Sequence, residues 1–392
     1  MRITFLVPND HASGGMRAVH EHSRHLAARG HQVEILIARL RVQPSSAPSS
    51  APSAAVRQLT RFQVFERRVK HWRKLACSLP RLLRRFGIGT ATRAVCRPLR
   101  RRRHSTSNLR PHRAVRYIAQ VEEPHVPDAD ALVVYDWTTA LAAAALPEGC
   151  GRRFYLVQAD EALLGAPPKL VEQSLRLPYC RIVVSTALKR TLADRYGLAA
   201  EGPVVNGVDL EQFHVDGDGT GQRVGMVYWR LRYKASQDGL RAVELARREH
   251  PDLRLVLFGR DLPDACLLTK AEFHYDPPQK ALRRIYSSCG IWLSPSRVEG
   301  SGMPVQEAMA CGCAVIATDC GAVRDFGRHG ENLLIVPPGD VEGMAAHIAA
   351  LAADEGRRRR IADAAAASMR ACTWERAAAQ LEAIIARHAR LQ

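Results

Sequence analysis

The chain contains no run of about 18 apolar residues, so nothing in it reads as a membrane-spanning helix. Its opening, MRITFLVPND, has too short an apolar stretch for a secretory signal peptide. The ten cysteines are scattered, with no CxxC pair and no His/Cys cluster at metal-ligand spacing. That usage suits a reducing cytoplasm and leaves no metal-binding pattern, so no metal and no cofactor is expected. Cys311 and Cys313 flank a glycine and read as packing residues. No DxD element stands at a strand end. Acidic residues are almost missing from one stretch: residues 57–116 hold 19 of the 57 Lys and Arg but only one of the 39 acids, Glu66. Thirty-eight of each sign remain elsewhere, so the formal charge of +18 belongs to this segment alone. What is present is length and apolar content enough for two cores: 392 residues at 46% hydrophobic predict two domains.

The richest segment is SPSRVEGSGMPVQEAMACGCAVIATDCG. The apolar stretch 291–296 predicts a buried strand, Pro304 suits the first turn of a helix, and Gly312 is placed to end it before a second strand at 313–317. Glu299 then lies on the glycine turn and Glu307 about one helical turn inside. The amides of Gly300, Ser301, Gly302 and Met303 would point outward at a helix N-terminus, a ready site for phosphate. Two carboxylates beside a phosphate would repel it, so they are better suited to accept hydrogen bonds from hydroxyls on either side. A nucleotide-sugar has that layout. An E-x7-E pair alone would ordinarily be two unrelated surface acids; the strand, the glycines and Pro304 change that reading.

Elsewhere the pattern is βαβ. Residues 2–7 predict a first strand, 16–28 a helix and 31–38 a second strand, with Gly14 and Gly15 where an open parallel sheet binds ligands. Strands are also predicted at 131–135, 154–157, 181–185, 223–229, 255–258 and 333–336, and helices at 239–249 and 374–390. Residues 43–55 form a Pro/Ser/Ala tether. Within the basic segment, Phe62, Phe65, Val69, Trp72, Ala76, Leu79, Leu83 and Phe86 fall at helical spacing with the arginines off that stripe. Three readings stand for residues 57–103: a helix on an anionic membrane surface, a cover over the first sheet, or a nucleic-acid contact. The last is the weakest, because no nucleic-acid module accompanies the charge.

Between the strand at 223–229 and the next helix lie Arg230, Arg232 and Lys234, cations at a strand end. Asp136, after the strand at 131–135, either hydrogen-bonds a ligand or caps the next helix.

The 291–321 run resembles the signature of retaining glycosyltransferases of family 4, which have the GT-B fold. The segment WRLRYKASQDGLRA resembles that family's GR…KG element, with Arg230 and Lys234 as its two cations and Ala235 where glycine is usual. VVNGVDLEQFH, residues 204–214, resembles the crossing between domains. The resemblance covers 1–40 and about 120–390 and leaves out the basic insert. Ser301 stands where phenylalanine is common, and Asp136-Trp137-Thr138 stands where many relatives carry a histidine.

The resemblance implies an α/β, GT-B protein of two Rossmann-like domains facing across a donor-binding cleft. The N-terminal acceptor domain would span 1–200 and the donor domain 201–373, with a helix at 374–392 packing back on the first. It implies transfer of a sugar from a nucleotide-sugar to a glycan or lipid-linked acceptor, without a bound metal, by a cytoplasmic enzyme or one resting on the inner face of the membrane. Glu307 would take the ribose hydroxyls, Glu299 the donor sugar, and Arg230 and Lys234 the diphosphate. Gly14, Gly15 and Asp136 would border the donor. An epimerase or phosphorylase of the same fold, or a basic adaptor with a vestigial sugar site, are the alternatives.

Overall fold

The computed structural model describes residues 1–9, 14–38, 115–217 and 219–389. The predicted tether at 43–55 and the basic amphipathic segment at 57–103 lie outside the described residues. Two six-stranded sheets carry the chain, and every strand pair in them is parallel.

The first sheet is built from β1 (Arg2–Val7), β2 (Gln32–Ala38), β3 (Val115–Ile118), β4 (Ala131–Val134), β5 (Arg152–Val157) and β6 (Cys180–Val183). The second uses β7 (Thr220–Val227), β8 (Arg254–Gly259), β9 (Ala271–Tyr275), β10 (Cys289–Ser294), β11 (Ala314–Thr318) and β12 (Leu334–Val336). Their orders, β3-β2-β1-β4-β5-β6 and β12-β11-β10-β7-β8-β9, are the same doubly wound arrangement read from opposite edges. Each sheet reverses direction at a switch point, β1/β4 in one and β7/β10 in the other. Ligands bind outside the carboxyl ends of the strands at such points.

Covering helices explain why the strands read as near-continuous apolar runs. In the second sheet Val224, Met226, Leu255, Leu257, Ile291 and Leu293 pack into one core, while Val256, Trp292, Val315 and Ala317 pack into another on the opposite face. This is the period-two alternation of a strand buried on both sides. The helix Trp374–Ala389 belongs to neither of these cores. Trp374, Ala377, Ala378, Leu381 and Ile385 pack with the first sheet's residues, and the ring of Trp374 meets that of His22 edge-on at 5.4 Å. The chain returns there at Val208, whose amide donates to the Cys372 carbonyl at 2.8 Å.

The first strand keeps its predicted bounds, and the ends of the other predicted strands differ from the observed ones by at most three residues. The run predicted as 223–229 begins at Thr220 and stops at Val227, which leaves Tyr228–Ala235 as a loop at the switch point. Among the described residues, no helix is long and apolar enough to cross a membrane.

Candidate functional site

The loops after β7 and β10 meet at the second switch point. The amide of Arg297 donates to the Tyr233 carbonyl at 2.7 Å, which fastens one loop to the other. Above that contact, Lys234 Nζ donates to Glu299 Oε1 at 2.7 Å, and Ser296 Oγ donates to the same oxygen at 2.8 Å. Among the described residues nothing donates to Glu299 Oε2, so one oxygen of this carboxylate is open. Burial disfavours the Lys234 ammonium, but the Glu299 carboxylate overrides it and holds the pKa above the ordinary lysine value. Lys234 is therefore charged at neutral pH.

Glu307 is the fifth residue of the helix Met303–Ala310 and is buried. Both its oxygens are engaged. Tyr286 Oη donates to Oε2 at 2.8 Å, and Arg17, from the helix Gly14–Ala28, pairs with Oε1. Tyr286 is fixed by rings on three sides: Phe213 at 5.9 Å, Phe258 at 5.7 Å and Trp292 at 4.5 Å.

The turn between the glutamates is shaped by contact with the other half of the molecule. A Cβ on Gly300 would lie 1.6 Å from the carbonyl oxygen of Gln158, just beyond β5, so no larger residue fits there. Gly302, at φ 74°, caps the helix without a side-chain bond, and Pro304 sits in its first turn. Pro304 has no N–H and Val305 N donates to the Gly302 carbonyl at 2.9 Å, so the Met303 amide is the first-turn group left for an outside acceptor. Ser301 is buried, and its Oγ has no hydrogen-bond partner. The Schellman-type bond from Cys313 N to Ala308 O, at 3.0 Å, closes the helix over Gly312.

The first switch point brings up Gly14 and Gly15, which lie inside the first turn of their helix rather than ahead of it. A Cβ on Gly14 would come within 2.8 Å of Met303 Cε, and one on Gly15 would overlap the Tyr135 hydroxyl. The carboxyl ends of the two sheets therefore face each other, with Gly14 and Gln158 touching the glycine turn. Gln306 Nε2, donating to the Asn206 carbonyl at 2.8 Å, adds a buried bond across the seam.

Two expected site residues stand differently. Asp136 is a helix cap: its carboxylate accepts from Thr139 N at 2.9 Å, from Thr139 Oγ1 at 2.6 Å and from Thr138 Oγ1 at 2.8 Å. The capping box with Thr139 is complete, which leaves little of this buried carboxylate to meet a donor. Arg230 is exposed on its loop, and its guanidinium donates to the Leu262 carbonyl at 2.8 Å, so the structure does not join it to Lys234 and Glu299.

Sequence reasoning missed four residues. Arg17 and Tyr286 complete Glu307, and Ser296 completes Glu299. Glu161 lies beyond the carboxyl end of β5, where its Oε2 accepts from Trp137 N at 2.9 Å and Tyr155 Oη at 3.0 Å. Burial, and next the Asp136 charge, push Glu161 up to about 8. Arg17 stands two residues after the double glycine and Ser296 three residues before Glu299 in the same run, which were usable signals; Tyr286 and Glu161 have none in the local sequence. Among the described residues, no group of three or more His, Cys, Asp or Glu is placed to hold a metal ion.

Residues 223–354 match the family described as glycosyl transferases group 1. The chain is 28% identical over 232 residues to a D-inositol 3-phosphate glycosyltransferase of Thermomonospora curvata, an alignment covering 50% of this chain and 54% of that one. It is 26% identical over 230 residues to the phosphatidyl-myo-inositol mannosyltransferase of Mycolicibacterium smegmatis, covering 54% and 59%. A further D-inositol 3-phosphate glycosyltransferase, of Xylanimonas cellulosilytica, is 35% identical over 27% of this chain and 26% of its own. The chain thus spans between about a fifth and about three fifths of the length of the curated relatives it matches.

Among solved structures, sucrose-phosphate synthase from Thermosynechococcus elongatus superposes with a TM-score of 0.65 at 16% identity over the full length of both chains. Anabaena HepE in complex with UDP does so at 0.65 and 15%, covering 99% of this chain and 100% of that one. The architecture is that of these proteins, the GT-B fold.

Proposed function

We propose that this chain is a glycosyltransferase that moves a sugar from a nucleotide-sugar donor to a glycan or lipid-linked acceptor, in the synthesis of a cell-surface polysaccharide or glycolipid. One observation carries the reading: the Lys234–Glu299 pair, the capless first turn of Met303–Ala310 and Glu307 lie together where the carboxyl ends of two doubly wound sheets meet. The match of 223–354 to group 1 glycosyl transferases supports it. So do the relatives, a D-inositol 3-phosphate glycosyltransferase and a phosphatidyl-myo-inositol mannosyltransferase.

In this reading Glu307 accepts the ribose hydroxyls and Glu299 accepts a hydroxyl of the sugar through its open oxygen. The amides of 300–303 and Lys234 hold the diphosphate. Arg230 adds its charge by exchanging the Leu262 carbonyl for a phosphate oxygen. Positive charge fixed beside the diphosphate lowers the barrier, because negative charge develops there as the sugar–phosphate bond breaks. The reaction retains configuration, as in family 4. The acceptor hydroxyl attacks the anomeric carbon from the face the diphosphate leaves, and its proton passes to a departing phosphate oxygen. The enzyme works in the cytoplasm without a metal of its own.

A panel of nucleotide-sugars with glycan and lipid-linked acceptors, followed by mass spectrometry, tests the proposal. The wild type is expected to add one sugar to an acceptor, and Glu299→Ala to abolish transfer while keeping its circular dichroism. Equal turnover in the variant, or interconversion of the donor sugar without any acceptor, would sink it.

A further inference from the structure

The two glutamates are not in the same state. Glu299 keeps one oxygen open, whereas both oxygens of Glu307 are taken, Oε2 by Tyr286 and Oε1 by Arg17. Arg17 reaches it across the seam between the two sheets. Its side chain is 13% exposed and that of Glu307 5%, its guanidinium lies 5.8 Å above the Phe213 ring, and one nitrogen stands 3.7 Å from Met303 Sδ. It belongs to the second turn of the helix that opens at Gly14, and Gly14 itself touches Met303. The cation therefore sits between the N-termini of two helices of eight and fifteen residues, the place where a diphosphate gains most from both helix dipoles.

We infer that Arg17 holds the ribose-binding carboxylate in the donor-free protein and becomes a phosphate ligand in the donor complex. The inference rests on the proposed role of Glu307. A vicinal diol offers two O–H donors to a carboxylate, and Arg17 covers Oε1 of this buried side chain, so the diol reaches that oxygen as the guanidinium moves aside. A displaced, buried arginine is costly unless it finds another anion. The diphosphate of the same ligand supplies that anion in bidentate form, which the planar guanidinium matches and an ammonium does not. A nucleoside without phosphates breaks the pair and gives nothing back. Arg17 thus makes the site discriminate nucleoside diphosphates from nucleosides. It also adds a cation beside the diphosphate to those of Lys234 and Arg230.

Calorimetric titration with UDP, GDP, uridine and guanosine tests this on wild type, Arg17→Ala, Arg17→Lys and Glu307→Gln. For whichever base the wild type binds, Arg17→Ala is expected to weaken the diphosphate at least about tenfold and to tighten the nucleoside by a few-fold, because the competitor for Glu307 is gone. Arg17→Lys is expected to fall between, and it keeps the test alive if the alanine variant folds poorly. Unchanged or tighter diphosphate binding in both Arg17 variants would overturn the inference while leaving the donor site standing. If the wild type binds none of the four ligands, or Glu307→Gln binds the nucleoside as well as wild type does, the underlying reading of Glu307 fails instead.

Discussion

Ala235 follows the site lysine in the left-handed region, at φ 48° and ψ 35°, where a Cβ crowds the carbonyl. The strain is stored one residue from Lys234, in the loop that holds the Lys234–Glu299 pair. Ala235→Gly removes it and is expected to raise stability by about 0.5–1 kcal/mol, the relief being partly offset by glycine's greater freedom when unfolded. Urea unfolding measures this; a destabilised glycine variant would contradict it. Glu161 offers a second test, set by pH. Its pKa is about 8 in the folded protein against an ordinary 4.5, so the folded state binds the proton more tightly. Stability from this group is fully present below about pH 4.5 and is lost as pH rises through 8. Glu161→Gln keeps a neutral side chain at every pH. The difference in melting temperature between variant and wild type is expected to move in the variant's favour from pH 5 to pH 9, and a pH-independent difference would refute the assignment.

At the scale of elements, the helix Gln279–Ser287 serves the helix Met303–Ala310 by setting Tyr286 beneath Glu307. Tyr286→Phe preserves the aromatic packing and removes one donor from a buried carboxylate. A cost of about 1–3 kcal/mol in urea unfolding is expected, with loss of donor affinity; an unaltered midpoint would mean that the hydrogen bond contributes nothing. Ten of the twelve strands, the glycine turn and the position of Lys234 at a strand end were legible in the sequence, because apolar runs bounded by turn residues and a cation at a strand end are local signals; β3, β9 and the pairing of Lys234 with Glu299 were not. Nor were Tyr286 and Arg17. They reach Glu307 from 21 and 290 residues away, and no spacing rule spans such distances. Asp136 was legible only as two alternatives, and the threonines at 138 and 139 decided for the cap. Arg230 was placed on the correct loop, but the direction of its side chain depends on Leu262, which the sequence does not relate to it.

Across the whole molecule, the two sheets share one strand order and place their switch points together, so the candidate site is assembled from loops of both. The helix Trp374–Ala389, docked in the first core, and the bonds of Arg17 and Gln306 bind the halves into the arrangement that closes around it. The large positive charge belongs to residues 57–116, of which 57–114 lie outside the described residues. The central claim is that a nucleotide-sugar bridges Glu307 and Glu299. Thermal melting with each of a series of nucleotide-sugars, beside the matching sugar-free nucleoside diphosphates, tests it most directly. At a hundred times its Kd a bound donor should add about 2.7 kcal/mol of stability. The account predicts that one nucleotide-sugar raises Tm above its own nucleoside diphosphate, and that Glu299→Ala erases this increment while keeping the diphosphate's. No shift with any nucleotide-sugar, or the same increment in the variant, would contradict it.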